Sequence, residues 1–172
     1  MRAFISINIP EEIKKEIAKL QKSLPEFGGK KTEAENLHLT LKFLGDVDDK
    51  NIEEIRNQLR NIKIKKFEVE TGEIGIFSPS FIKIIWLSLN NCEKLQKEID
   101  SALKNLFEPE KRFMGHLTIA RVKKVRDKKR FLDKISQIKI NKKRFVVGKF
   151  YLMKSELTEK GPVYSVVEEF GQ

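Results

Sequence analysis

The sequence predicts an α+β fold with antiparallel sheet, built from two related halves. Three observations lead there. Strand-like and helix-like stretches alternate along the 172 residues, but short turns rather than long crossovers join them. Residues 67–77 and 82–89 form a hairpin-like pair around Ser78-Pro79-Ser80. One tetrapeptide pattern also occurs twice, at His38-Leu39-Thr40-Leu41 and His116-Leu117-Thr118-Ile119, 78 residues apart.

The elements follow in order. Residues 3–9 (AFISINI) alternate apolar and small polar side chains at the strand period. Pro10 opens a helix over 11–24, with Ile13, Ile17, Leu20 and Leu24 on one face, and Pro25 and Gly28-Gly29 stop it. Residues 36–44 (NLHLTLKFL) form a second strand, closed by Gly45. After Asp48, Ile52, Ile55, Leu59 and Ile62 fall on one helical face, with acids early and basic residues late to match the helix dipole. The hairpin strands come next, then a helix capped by Asn91 and carrying Leu95, Ile99, Ala102, Leu103 and Leu106. Strand 113–122 (FMGHLTIARV) precedes a basic helix around 126–138, and strands 145–153 and 163–170 close the chain. No low-complexity linker divides it, so a single domain over residues 1–172 is expected.

Composition removes several classes. No apolar run approaches the roughly 18–20 residues of a membrane span, and the N-terminus reads as a strand rather than a signal peptide, so a cytoplasmic protein without membrane contact is expected. The single cysteine, Cys92, has no partner for an internal disulfide or a structural zinc knot and reads as an inert, half-buried thiol. Net charge is +10, and it is unevenly placed. Residues 111–144 hold 14 Lys or Arg against only Asp127 and Asp133, a local balance of +12, while the rest of the chain is slightly acidic. Such asymmetry fits a surface facing a polyanion such as nucleic acid, as well as a merely solvated helix.

His38 and His116 are the only histidines, and chance is a poor account of their shared context. With 16 Leu and 5 Thr in the chain, Leu-Thr follows both by chance about once in 10⁵. Alternation along a strand puts His38 and Thr40 on one face, with Leu37, Leu39 and Leu41 beneath, and puts His116, Thr118 and Ala120 above Leu117 and Ile119. Each strand thus offers an imidazole and a hydroxyl. Two imidazoles across a cleft suit phosphoryl transfer, because one ring takes a proton from the attacking oxygen while the other protonates the leaving oxygen. Threonine hydroxyls can donate to the non-bridging oxygens. No metal or other cofactor is needed, and two histidines without a carboxylate or thiolate at ligand spacing fall short of a metal site. Neither histidine has a recognisable Ser or Cys nucleophile elbow.

The opening RAFISINIPEEI, the blocks ENLHLTLKFLGDV and HLTIARVK, and the closing SELTEKGPVYSVVEEF resemble in order and spacing the two-histidine (2H) phosphoesterases, in particular the RNA 2′,3′-cyclic phosphodiesterases also called 2′-5′ RNA ligases. The resemblance covers nearly the whole chain. It implies a bilobal α+β fold, two pseudo-symmetric lobes of antiparallel sheet around a central cleft. It also implies hydrolysis of RNA-terminal 2′,3′-cyclic phosphate to a 2′-phosphate. On matching positions it makes His38 and His116 the acid and base, with His116 as base and His38 as acid, and Thr40 and Thr118 the phosphate donors.

The same resemblance adds Arg121 as a phosphate clamp and Phe43 as a stacking surface for the terminal base, each five residues after a histidine. Simple alternation objects, since odd offsets point away from the histidine face. A bulge or strand end must re-aim both; without one, Phe43 belongs to the core and Lys42 faces the cleft. Relatives often carry proline before the second histidine where this chain has Gly115. Tyr164 and Ser155 fit the closing pattern but read as packing and a turn contact. The expected partner is RNA with a 2′,3′-cyclic phosphate end, bound by a monomer, its body running along residues 111–144. Two other functions remain open: ATP-independent 2′-5′ ligation by the same residues, and a non-catalytic RNA-binding module.

Overall fold

A computed structural model describes residues 1–171. β1 (Arg2–Asn8) runs into α1 (Glu11–Lys22), whose Ile13 and Ile17 are buried and whose Glu11 and Glu12 lie at the positive end of the helix dipole. β2 (Gly28–Lys31) and a 3-10 turn (Ala34–Asn36) precede β3 (His38–Asp46). Asp48 then caps α2 (Asp49–Arg60) by accepting from Asn51 N at 2.8 Å. The hairpin β4 (Phe67–Ile76) and β5 (Ile84–Asn90) leads to α3 (Glu93–Ala102), β6 (His116–Lys124) and α4 (Lys128–Gln137). β7 (Arg144–Val147), β8 (Lys149–Thr158) and β9 (Gly161–Gly171) complete the chain.

The architecture is α+β, with two wholly antiparallel sheets and four α-helices among the described residues. One sheet has the order β3-β1-β8-β9, the other β2-β6-β5-β4-β7. α3 packs on β3 and α2 on β9, while α1 packs on β6 and α4 on β4. Each histidine strand is therefore backed by a helix from the other half of the chain. A single apolar cluster, from Ile5 and Leu39 to Ile85 and Leu117, joins both sheets.

Five expectations need correcting. The stretch 145–153 is two strands in different sheets, parted at Gly148, because its continuous apolar pattern fits either sheet equally well. Gly28-Gly29, read as a helix stop, opens the edge strand β2; at Gly29 a side chain would strike the Arg121 carbonyl, so only glycine lets the backbones approach. Asn91 does not cap α3: it takes φ 73° and donates its side-chain amide to Glu68 O, and the capping position passes to Cys92. That helix also stops at Ala102, with Leu103 and Leu106 continuing as turns. Cys92, expected to be half-buried, is fully buried, and burial followed by the Glu93 charge pushes its pKa up to about 12.

Candidate phosphoryl-transfer site

β3 and β6 repeat one another position by position: the order of buried, half-buried and exposed residues is identical along their nine residues. Both begin at the histidine. His38 Nδ1 donates to Asn36 O at 2.8 Å and His116 Nδ1 donates to Met114 O at 2.8 Å, each a carbonyl two residues back. A carbonyl only accepts, so each Nδ1 carries hydrogen and each Nε2 is left for chemistry.

Both strands also break alternation at the same place. In the β1–β3 ladder, Ser6 pairs with Thr40 and Ile5 with Lys42, leaving Leu41 as a bulge. In the β5–β6 ladder, Trp86 pairs with Thr118 and Ile85 with Ala120, leaving Ile119 as the bulge. The bulges carry the residue four after each histidine inward and the residue five after it outward. Phe43 is accordingly 70% exposed and Arg121 exposed, whereas Lys42 is 3% exposed and Ala120 fully buried. The expectation that Ala120 shares the face of His116 and Thr118 is thus wrong, for the same bulge that re-aims Arg121.

Polar contacts from the helices hold both bulges. Gln21 on α1 donates to Ile119 O at 2.9 Å and to Thr32 O at 2.8 Å. Lys42 Nζ donates to Asp100 Oδ1 on α3 at 2.6 Å and to Glu108 O at 2.7 Å. Burial alone would raise the Asp100 pKa, but hydrogen bonds from Lys42, Gln96 and the Glu110 amide hold it below the usual carboxylate range. Lys42 is therefore a buried anchor rather than a group in the site.

His38, His116 and Arg121 share one electrostatic neighbourhood. Burial first, then the Arg121 guanidinium and the His116 ring, hold the His38 imidazole below its ordinary pKa against the opposing hydrogen bond to Asn36. Aromatic rings flank both imidazoles. Tyr164 meets His38 edge-on at 4.9 Å between centroids, with Phe4 tilted at 4.9 Å; Phe77 meets His116 edge-on at 5.1 Å. The packing expected of Tyr164 is against the His38 ring itself, and Phe77 went unnoticed because a phenylalanine ending a strand carries no motif. Ser6 and Trp86 are ladder partners of Thr40 and Thr118; their Oγ and Nε1 are the buried side-chain polar atoms without a hydrogen-bond partner among the described residues. Gly115 has its own reason: a Cβ there would strike Leu89 O, which excludes proline as well. Among the described residues no three His, Cys, Asp or Glu side chains gather as a metal-holding group.

Duplicated histidine strands, one per sheet, define a two-histidine phosphoesterase arrangement. The chain belongs to the LigT-like phosphoesterase family, whose model matches residues 7–86 and 89–164, two stretches that each hold one histidine tetrapeptide. It is 42% identical to an RNA 2′,3′-cyclic phosphodiesterase of Methanocaldococcus jannaschii, over 99% of this chain and all of that protein. Identity to the enzyme of that name from Methanothermobacter thermautotrophicus is 32%, over 99% of this chain and 98% of the relative. Among solved structures, a Thermus thermophilus protein superposes with a TM-score of 0.82 at 24% identity, covering 99% and 97% of the two chains. Escherichia coli LigT with 3′-AMP superposes at 0.78 and 22% identity, covering 99% and 96%, and both likenesses establish the fold.

Proposed function

We propose that this chain is an RNA 2′,3′-cyclic phosphodiesterase that opens a terminal cyclic phosphate to a 2′-phosphate, without metal or nucleotide cofactor. The observation that carries the reading is the twofold repetition of imidazole, hydroxyl and bulge on β3 and β6, since in-line displacement needs a proton acceptor and a proton donor on opposite sides of phosphorus. Whole-chain similarity to proteins of that name supplies the substrate class.

The mechanism follows from the bonded state of each ring. With Nδ1 committed to a carbonyl, His116 Nε2 takes a proton from water as the water oxygen attacks phosphorus. The P–O3′ bond breaks and O3′ takes the proton carried on His38 Nε2. Family resemblance supports this division of roles, and the lowered pKa of His38 makes its imidazolium a stronger acid toward O3′. Thr40 and Thr118 donate to the non-bridging oxygens, and Arg121 pairs with their charge. The anion lying beside Arg121 offsets the repulsion that drives the proton off His38 in the free site. Phe43, turned outward by the Leu41 bulge, stacks on the terminal base.

The test is end-group analysis of a short RNA ending in cyclic phosphate, incubated in excess EDTA. A 2′-phosphate product is expected; a 3′-phosphate product or an unchanged end contradicts the reading.

A further inference from the structure

A cyclic-phosphate end brings one nucleoside to the site, because O2′ and O3′ belong to the same ribose, and the opposite apical position takes water. One stacking surface serves that reaction. Two exposed rings accompany the histidines: Phe43 on the His38 strand, and Phe77, 54% exposed and edge-on to His116. Phe77 does not stand alone. The Trp86 indole lies across β4 at Gly75, where an added Cβ would come within 2.5 Å of Cη2, and Phe77 tilts against the indole at 5.7 Å. The indole Nε1 is a buried donor without a partner among the described residues. In the hydrolysis proposed above, neither the open face of Phe77 nor that donor has a role.

We propose that Phe77 and Trp86 form the base platform for a second nucleoside, the one whose 5′ hydroxyl takes the place of water at phosphorus. This rests on the cyclic-phosphate reading above. A base stacked on the outer face of Phe77 holds its own sugar beside His116 Nε2. The O5′ proton passes to His116, the O5′–P bond forms as P–O3′ breaks, and O3′ takes the proton from His38. The product is a 2′–5′ diester with a free 3′ hydroxyl; the opened ring bond replaces any triphosphate.

The experiment mixes a cyclic-phosphate RNA with a dinucleotide acceptor bearing a free 5′ hydroxyl, its first residue either a purine or abasic. The readout is linked product for the purine acceptor relative to the abasic one, within each protein, so a general loss of turnover cancels. The wild type should favour the purine acceptor by roughly five- to 150-fold, the range of base–aromatic stacking. Phe77→Leu keeps an apolar contact to His116 but removes the flat face, and Gly75→Ala displaces the indole; both should bring the ratio near one. No preference in the wild type, a preference intact in both variants, or hydrolysis without linked product from either acceptor each overturns the platform. Absence of hydrolysis overturns the cyclic-phosphate reading instead.

Discussion

A proton on His38 competes with burial and with two neighbouring charges, Arg121 and His116. The chain has only two histidines, so proton NMR follows both imidazoles directly, and His116→Gln assigns them. His38 should titrate below the ordinary imidazole value of about 6.5. Removing the cation with Arg121→Gln should move that midpoint upward, as should binding of inorganic phosphate, because each lessens the positive field around the imidazolium. A His38 midpoint at or above the ordinary value contradicts this electrostatic account. The same sign governs kinetics: if His38 is the acid, the alkaline limb of kcat/KM, which reports the free enzyme, lies low and rises in Arg121→Gln even as the rate falls. Thr40→Val and Thr118→Val should each lower kcat by roughly 10²–10³, the range for one lost oxyanion donor, and unchanged kcat would remove the hydroxyls from the mechanism. At this scale the sequence was most legible where residues repeat. The two HxT patterns stood out because they are rare, whereas Phe77 is an ordinary aromatic in sequence, and Tyr164, though it fits the closing pattern, meets an imidazole only through the fold.

At the scale of elements, the bulges at Leu41 and Ile119 decide which side chains reach the site. Their only trace in the sequence is the odd spacing from His38 to Phe43 and from His116 to Arg121, which regular strands would bury. The ladder offset itself depends on contacts from helices far along the chain, so alternation alone placed Ala120 wrongly. Helices were easier to read, since their apolar stripes are local, whereas caps were not: Asp48 caps α2 unforeseen, and the cap expected at Asn91 fell to Cys92. β2 was hidden because GGKK has no apolar pattern, and the β7/β8 division because FVVGKFYLM reads as one strand. Lys42→Met leaves the buried Asp100 carboxylate without its ammonium partner and should cost about 3–5 kcal/mol in urea unfolding. The double replacement Lys42→Met with Asp100→Leu should recover most of that loss. A single-variant loss below about 1 kcal/mol would show that Lys42 is not the anchor described.

For the whole molecule, the charge surplus has a definite place. Of the 14 Lys and Arg between residues 111 and 144, Arg144 is the one in a salt bridge among the described residues, whereas 8 of the other 21 are paired. Those free cations surround His116 and Arg121 in sequence, and the body of an RNA bound at the site is expected along them. Charge reversal at Lys123, Lys124, Lys128 and Lys129 should weaken long RNA more than a cyclic mononucleotide and flatten the salt dependence by roughly one unit of slope per lost phosphate contact. Equal losses on both substrates would make the segment a solvated surface only. The central claim, that the paired imidazoles do the chemistry while the basic surface holds RNA, is tested most directly by His38→Ala, His116→Ala and the double variant. Turnover of a cyclic-phosphate RNA and its salt-dependent binding are measured on the same preparations. The account predicts that either substitution abolishes turnover, that the double variant is little worse than either single one, and that binding persists. Turnover surviving in either single variant, or binding lost together with it, would contradict the account.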